Sequence, residues 1–425
     1  MKSYAKSPSV VYNKSMNTVR IVFADLNGVM KGKLIPSGQF AVDNVYGMPR
    51  SVLLQDISGA ENYHIADYSP ESGDPDMRLV PIESTRCPAP GKRELEQVVC
   101  DVTEMNGTAP LAESPRAVLE RVVAQLHEQQ LSAKVAIELE FFITNPDGSQ
   151  LSREQLDQPY ADVNALYKIE QLINDYLAGL TSIGLEAECV LSESGEGQLE
   201  INYRPLDPMA MADRTFMFKQ MIREIALGHG LRATFLAKPF SASSGSGSHV
   251  HISLYSSDGS NILHDETRLG AFVAGQAQLA RELYAIYAPN PNSYRRVALS
   301  HGYVPDHASH GHDDRKAALR IVGEGDNRRV ENRIAGSDVN PYLQIAAALG
   351  AGILGLRNNA SLTDHTASFP TSLPEALGLL EQSAAARQLL GDSFVTAFVA
   401  VKQEEWQLFQ SHISTWEREA YGPLV

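Results

Sequence analysis

Ile137-Glu138-Leu139-Glu140-Phe141-Phe142 places two carboxylates at i and i+2 in a run that is otherwise apolar. On a strand, side chains alternate between faces, so Glu138 and Glu140 share one face while Ile137, Leu139 and Phe141 take the other. Two like charges on a half-buried face repel. One carboxyl must then hold a proton, or the strand loses stability, or a divalent cation lies between the two. A solvated strand face is the competing explanation, and for this pair alone the two readings weigh about evenly.

Three further segments put charge where a packed strand should be apolar. Glu193-Ser-Gly-Glu-Gly-Gln-Leu-Glu200 runs acids through a glycine-rich loop into a strand. Glycine lets such a backbone turn tightly, although a surface loop with incidental acids has the same composition. In Ser244-Gly-Ser-Gly-Ser-His249-Val-His251-Ile-Ser253, three polar side chains alternate with Val250, Ile252 and Leu254 behind a small-residue loop. The backbone N–H groups of that loop suit phosphate or carboxylate oxygens, while a His pair at this spacing is more often polar surface. Arg328-Arg329-Val330-Glu331-Asn332-Arg333 sets Glu331 between two guanidiniums on one strand face. That fits a site holding both a metal and anions, or equally a cross-strand ion-pair ladder.

Around these segments the chain reads as an ordered globular enzyme of 425 residues, 43% apolar and 20% charged. Its 36 Lys and Arg against 51 Asp and Glu give a net charge of -15, which argues against a nucleic-acid partner. Cys87, Cys100 and Cys189 are odd in number and widely spaced. They fit neither a disulfide framework nor a CxxC metal site, and point to a reducing cytoplasm. The N-terminal residues lack an apolar signal core, and the most apolar run, 345–356, is too short to span a bilayer, so neither export nor membrane association is expected.

Short β-type runs (VRIVFADL, SVLLQDI) broken by turns at Asn27-Gly28 and Pro36-Ser37-Gly38 predict a small sheet domain over residues 1–105. A second domain, 106–425, opens on a helix over 117–129, with Ser114 as cap and Pro115 at its first position. It continues as strand 134–144, helix 167–183, strand 197–203, helix 208–228 and strands 233–238 and 248–255. Residues 373–421 carry apolar side chains at helical spacing.

Taken in order, ExEFF, ExxxGQxE, GSGSHVHxSL and RRVENR followed by Asn340-Pro341-Tyr342-Leu343 resemble the signature set of the glutamine synthetase family, over nearly the whole chain. The resemblance implies an α+β fold with a small N-terminal β-grasp-type domain and a large ATP- and glutamate-binding domain. That domain would be built on a curved antiparallel sheet with C-terminal helices. It further implies one metal on Glu140, Glu193 and Glu200 and another on Glu138, His249 and Glu331. The expected ions are two or three Mg2+ or Mn2+ per site, as hard oxygen donors with one imidazole suit. His251, Arg320 and Arg329 resemble the contacts to the nucleotide phosphates, and Ser253 lies where the family meets adenosine. Arg296 and Arg333 resemble the glutamate clamps, Gly245 would offer backbone to the substrate amino group, and Arg315 resembles the arginine that stabilises the transferring phosphoryl group. The implied reaction activates the glutamate γ-carboxylate with ATP and passes the γ-glutamyl group to an amine. The implied assembly is a homo-oligomer, a dodecamer of two hexameric rings.

Departures from ammonia-using members bear on the acceptor. Their flap carries Gly-Tyr-Glu-Ala-Pro, whereas this chain has Tyr303-Val304-Pro305 and lacks that carboxylate. Ser244 replaces a loop asparagine, and there is no counterpart of the adenylylated tail tyrosine. The stretch Phe23 to Lys33 and the tail (Ala400-Val-Lys-Gln-Glu-Glu-Trp406, Trp416-Glu-Arg-Glu-Ala-Tyr421) are similar to the γ-glutamylpolyamine and γ-glutamylamide synthetases of bacterial amine catabolism. An organic amine is therefore expected rather than ammonia, with Asp56 approximating the ammonium-site aspartate. Four of the 12 histidines, His301, His307, His310 and His312, fall close together, fit no zinc spacing and are expected to form a mobile lid, a solvated loop being the alternative. The rival functions are ordinary glutamine synthetase, a non-catalytic structural or glutamate-sensing relative, and phosphotransfer to a guanidino compound.

Overall fold

The computed structural model describes residues 17–61, 73–90, 95–156, 160–300 and 302–425. Its N-terminal sheet grows from β1 (Thr18–Ala24), whose Val19, Ile21 and Val22 are buried, and β2 (Met30–Pro36), antiparallel to it. The Asn27-Gly28 turn that joins them puts Gly28 at φ +73°, and a Cβ there would meet the Asn340 backbone at 3.2 Å. The remaining strands are β3 (Tyr46–Pro49), β4 (Asp76–Pro81), β5 (Cys87–Pro88) and β6 (Leu95–Glu104). Their order is β2-β1-β6-β4-β3, with β5 on β6 and β1 parallel to β6. The run SVLLQDI, expected as a strand, instead makes a 3-10 turn at Arg50–Leu54 with Leu53 and Leu54 buried. Its continuous apolar stretch has no period to separate strand from turn.

The second sheet contains the charged segments. It is built from β7 (Leu131–Thr144), β8 (Ala187–Ser192), β9 (Gln198–Tyr203), β10 (Arg232–Thr234), β11 (Ser248–Ser256), β12 (His310–His312), β13 (Leu319–Val322) and β14 (Arg329–Asn332). The order is β12-β13-β14-β11-β7-β9-β8, with β10 on β7. All pairs are antiparallel except β12 with β13 at the edge. The strand expected over 233–238 is paired only at 232–234. β8, half exposed and carrying a register shift, has too little alternation to be read from sequence.

Val135, Ile137, Leu139 and Phe141 line the core face of β7, and Phe141 meets Tyr176 and Phe218 edge to face at 5.9 and 6.2 Å. Those aromatics come from helices Glu170–Ser182 and Pro208–Gly228, which cover this face. The apolar run 345–356 lies in helix Pro341–Arg357, which packs on helices Pro115–Glu128, Pro208–Gly228 and Glu266–Leu279 and is apolar all round because it is enclosed. Among the described residues no helix is long and apolar enough to cross a membrane. The tail forms four helices, Leu373–Gln382, Ala384–Leu390, Asp392–Ser411 and Thr415–Ala420.

Two buried polar networks tie the N-terminal sheet to the rest. Arg116 bonds Asp101 of β6 at 2.6 Å and Asp213 at 3.1 Å, and Tyr342 Oη donates to Asp213 at 2.7 Å. Across the molecule, Glu405 accepts from Asn27 Nδ2 and from the Ile57 backbone N–H, both at 2.8 Å, while Lys402 bonds Glu405 at 2.7 Å and also reaches Asn27.

Candidate active site

Strand register assembles the site. β11 runs antiparallel to β7 with His249 opposite Glu138, and β9 puts Glu200 opposite Glu140. β14 sets Glu331 opposite His251, while β13 sets Arg320 opposite Glu331 from the other side. Side chains from five adjacent strands thus face one cleft, and the loop before β9 adds Glu193.

Three carboxylate and imidazole groups result, each offering ligand atoms within 4.8 Å of one another: Glu140 with Glu193 and Glu200; Glu138 with Glu200 and His249; Glu138 with His251 and Glu331. The first is the expected trio. The register also places His251, expected at the phosphates, beside Glu331. His249 Nδ1 still lies 3.5 Å from Glu138 Oε2 and 3.6 Å from Glu331 Oε1.

The electrostatics call for a cation. Burial, and then the Glu193 carboxylate, push Glu140 up to about 8; burial followed by Glu138, Glu140 and Glu193 push Glu200 up to about 9. Burial also raises Glu193. Burial acts against the Glu138 charge too, but contacts with His249 and His251 outweigh it and hold that carboxylate low. His249 is buried, its pKa is lowered by that burial, and its Nδ1 has no hydrogen-bond partner. A buried ring nitrogen without a hydrogen-bond partner among crowded carboxylates suits a hard divalent ion, and the donors present fit one.

Guanidiniums ring the carboxylates. Glu331, 0% exposed, accepts from Arg320 at 2.9 Å and from Arg333, and Arg320 also pairs with Asp313. Arg329 Nε donates to His251 Nδ1 at 3.2 Å, which turns His251 Nε2 toward Glu138 Oε1 at 3.0 Å. Arg296 is buried and donates from Nη1 to the Ile334 carbonyl at 3.0 Å, leaving Nε without a partner, as is Arg333 Nε. Arg315 is exposed, and close enough to oppose in part the rise that burial gives Glu193. Ser253 donates to the Arg328 carbonyl at 3.2 Å, farther along β11. Gly245 sits where a Cβ would meet the Ala237 carbonyl and Arg296 Cγ, each at 2.9 Å.

Two residues escaped the sequence reading. Gln198 Nε2 donates to Glu140 Oε2 and to the Gly245 carbonyl, both at 3.0 Å, and its Oε1 accepts from Gly195 N and Ser244 Oγ. It links the carboxylates to the small-residue loop, and its place inside ExxxGQxE was the available signal. Tyr160, 57% exposed, feels Glu193, Arg315, Glu200 and Glu140, which puts it at the mouth of the cleft. Asp56 is buried and its Oδ1 accepts from Ser58 and Ala60 of its own turn. His301 lies outside the described residues. His310 and His312 belong to the edge strand β12, and His307 pairs with Asp306 at 2.7 Å. Among the described residues those histidines join no metal-type group.

Residues 112–421 match the glutamine synthetase catalytic domain. The chain belongs to the glutamine synthetase family. Within that family it is 31% identical to the glutamate–isopropylamine ligase of a Pseudomonas species, over 100% of this chain and 99% of that protein. It is 35% identical to the gamma-glutamylputrescine synthetase PuuA of Escherichia coli K12, over 94% and 90%. The solved GmaS/ADP complex superposes with a TM-score of 0.85 at 28% identity, covering 97% of this chain and 98% of the other.

Proposed function

We propose that this protein is an ATP-dependent glutamate–amine ligase: glutamate and ATP give γ-glutamyl phosphate and ADP, and an organic amine displaces phosphate to give a γ-glutamylamide. The observation that carries it is the convergence of five carboxylates and two imidazoles into three groups sharing Glu138 and Glu200, faced by Arg320, Arg329 and Arg333. Glu140, Glu193 and Glu200, and Glu138 with His249 and Glu331, would hold two or three Mg2+ or Mn2+ ions, which would supply positive charge against the polyphosphate.

The protein's own groups do the rest. Arg296 and Arg333, each with an unpartnered buried Nε, hold the glutamate carboxylate, and the Gly245 backbone meets its amino group. His251, Arg320 and Arg329 face the phosphates, Ser253 faces the adenosine, and exposed Arg315 swings onto the phosphoryl group in transfer. A γ-carboxylate oxygen then attacks phosphorus as the bond to ADP breaks. The amine nitrogen next attacks the acyl carbon, phosphate departs with the bonding pair, and the nitrogen loses a proton.

Tyr303-Val304-Pro305 supplies no flap carboxylate, which favours an organic amine, a polyamine, monoamine or amino alcohol, over ammonium. The working protein is taken as a cytoplasmic dodecamer of two hexameric rings, divided near residue 106 into its small and catalytic domains. Phosphate release with glutamate and ATP, measured against ammonium, ethanolamine, isopropylamine and putrescine, tests the reading. Turnover with one or more organic amines is expected; turnover confined to ammonium overturns it.

A further inference from the structure

Lys219, in helix Pro208–Gly228, is a buried ammonium that no step above uses. Its Nζ donates to the backbone carbonyls of Ser337 and Val339, both at 2.9 Å, and lies 5.3 Å from the Phe235 ring. The neighbouring carboxylate, Asp338, accepts from Asn290 at 2.9 Å and Ser293 at 2.6 Å, both on Oδ2, and makes no hydrogen bond to Lys219. A methionine would fill the same space without removing a charge from water, so the ammonium is the costlier occupant. What it holds is the loop that follows Arg333.

That loop is the back wall of the small-residue segment. Ser337 N donates to the Ser246 carbonyl at 3.1 Å and Ser337 Oγ to the Gly247 carbonyl at 2.5 Å, while Ser248 N donates to the Ala335 carbonyl at 3.0 Å. The Ile334 carbonyl of the same loop fixes the Arg296 guanidinium at 3.0 Å. Gly247 N in turn donates to Glu140 at 2.8 Å. Ser253, Arg320 and Arg329 hang on other parts of β11, β13 and β14 and make none of these contacts.

We propose that Lys219 and Ser337 are positioning residues for the glutamate half of the site: Lys219 clamps the 334–339 loop, and Ser337 passes that placement to the Gly245–Gly247 segment and, with Ile334, to Arg296. This rests on the ligase reading, which assigns Gly245, Arg296 and Arg333 to glutamate. A residue that only supported the fold would weaken both substrates together; this one separates them.

The test is calorimetric titration of the full-length protein with glutamate and, separately, with ADP, both in Mg2+, for wild type, Lys219→Met and Ser337→Ala, alongside KM for each substrate. Glutamate affinity should fall about tenfold in each variant while ADP affinity stays within about twofold. Equal weakening of both ligands, or no change in either, overturns the proposal. If Lys219→Met does not fold, Ser337→Ala, which removes one oxygen, decides alone. A wild type that binds glutamate but turns over no amine sinks the ligase reading, and the split in affinities still decides this one; a wild type that binds no glutamate sinks both.

Discussion

At Glu140 and Glu200 the folded protein raises the carboxyl pKa from an ordinary 4.5 to about 8 and about 9, chiefly by burial. A carboxyl whose folded pKa exceeds its unfolded one stabilises the fold while protonated, so stability should decline as pH climbs from near 4.5 through those folded values. A divalent cation removes the penalty. The melting temperature of chelator-treated protein should therefore fall between pH 5 and 9, with Mg2+ or Mn2+ raising it most at the alkaline end; a metal shift independent of pH would contradict this account of the cluster. The Gln198 side chain donates to Glu140, and Gln198→Ala should lower kcat/KM by about 10- to 100-fold with fold intact, as loss of a ligand-orienting partner does. Glu138 and Glu140 were legible because acids at i and i+2 in an apolar run leave few explanations. That His249 would stand opposite Glu138 and His251 opposite Glu331 was not, because no single strand's sequence contains the register across strands.

Between elements, helices Glu266–Leu279 and Pro341–Arg357 approach backbone to backbone. A Cβ at Gly275 would lie 2.2 Å from the Ala351 carbonyl, and one at Gly355 would lie 2.2 Å from the Ala271 carbonyl. Both glycines are there so that two backbones can touch, and backbone cannot yield as a flexible side chain would. Gly355→Ala should destabilise by at least about 1–3 kcal/mol in urea unfolding. Helix Pro341–Arg357 shows how far element reading goes: its apolar run over 345–356 was visible as too short to span a bilayer, but neither the helix nor the helices that enclose it were. β7, β11 and β14 were readable from alternation. Arg50–Leu54 and β8 were not, the first having no period and the second too little contrast between its faces.

For the whole molecule, the N-terminal sheet and the catalytic part are joined by buried charge rather than by apolar packing alone. Glu405→Leu would leave the Lys402 ammonium buried without its carboxylate and remove the acceptor of Asn27 and Ile57. A loss of about 3–5 kcal/mol is expected, read as an earlier melting transition. Replacing Lys402 and Glu405 together with apolar residues should restore much of it, and a double variant as weak as the single one would show that the charge pair is not the origin. The overall α+β architecture could be anticipated from four charged segments in order; these long-range ties could not, since Asn27 and Glu405 are 378 positions apart and neither stands out in its own neighbourhood.

That separation bears on how the protein is made. Glu405 lies in helix Asp392–Ser411, so the first hairpin meets its partner only after 378 further residues have been made, tens of seconds after Asn27 emerges at ordinary elongation rates of roughly 5–20 residues per second. Until then the nascent sheet waits with Asn27 and the Ile57 amide facing water, and fragments ending before residue 392 should be caught by chaperones instead of docking.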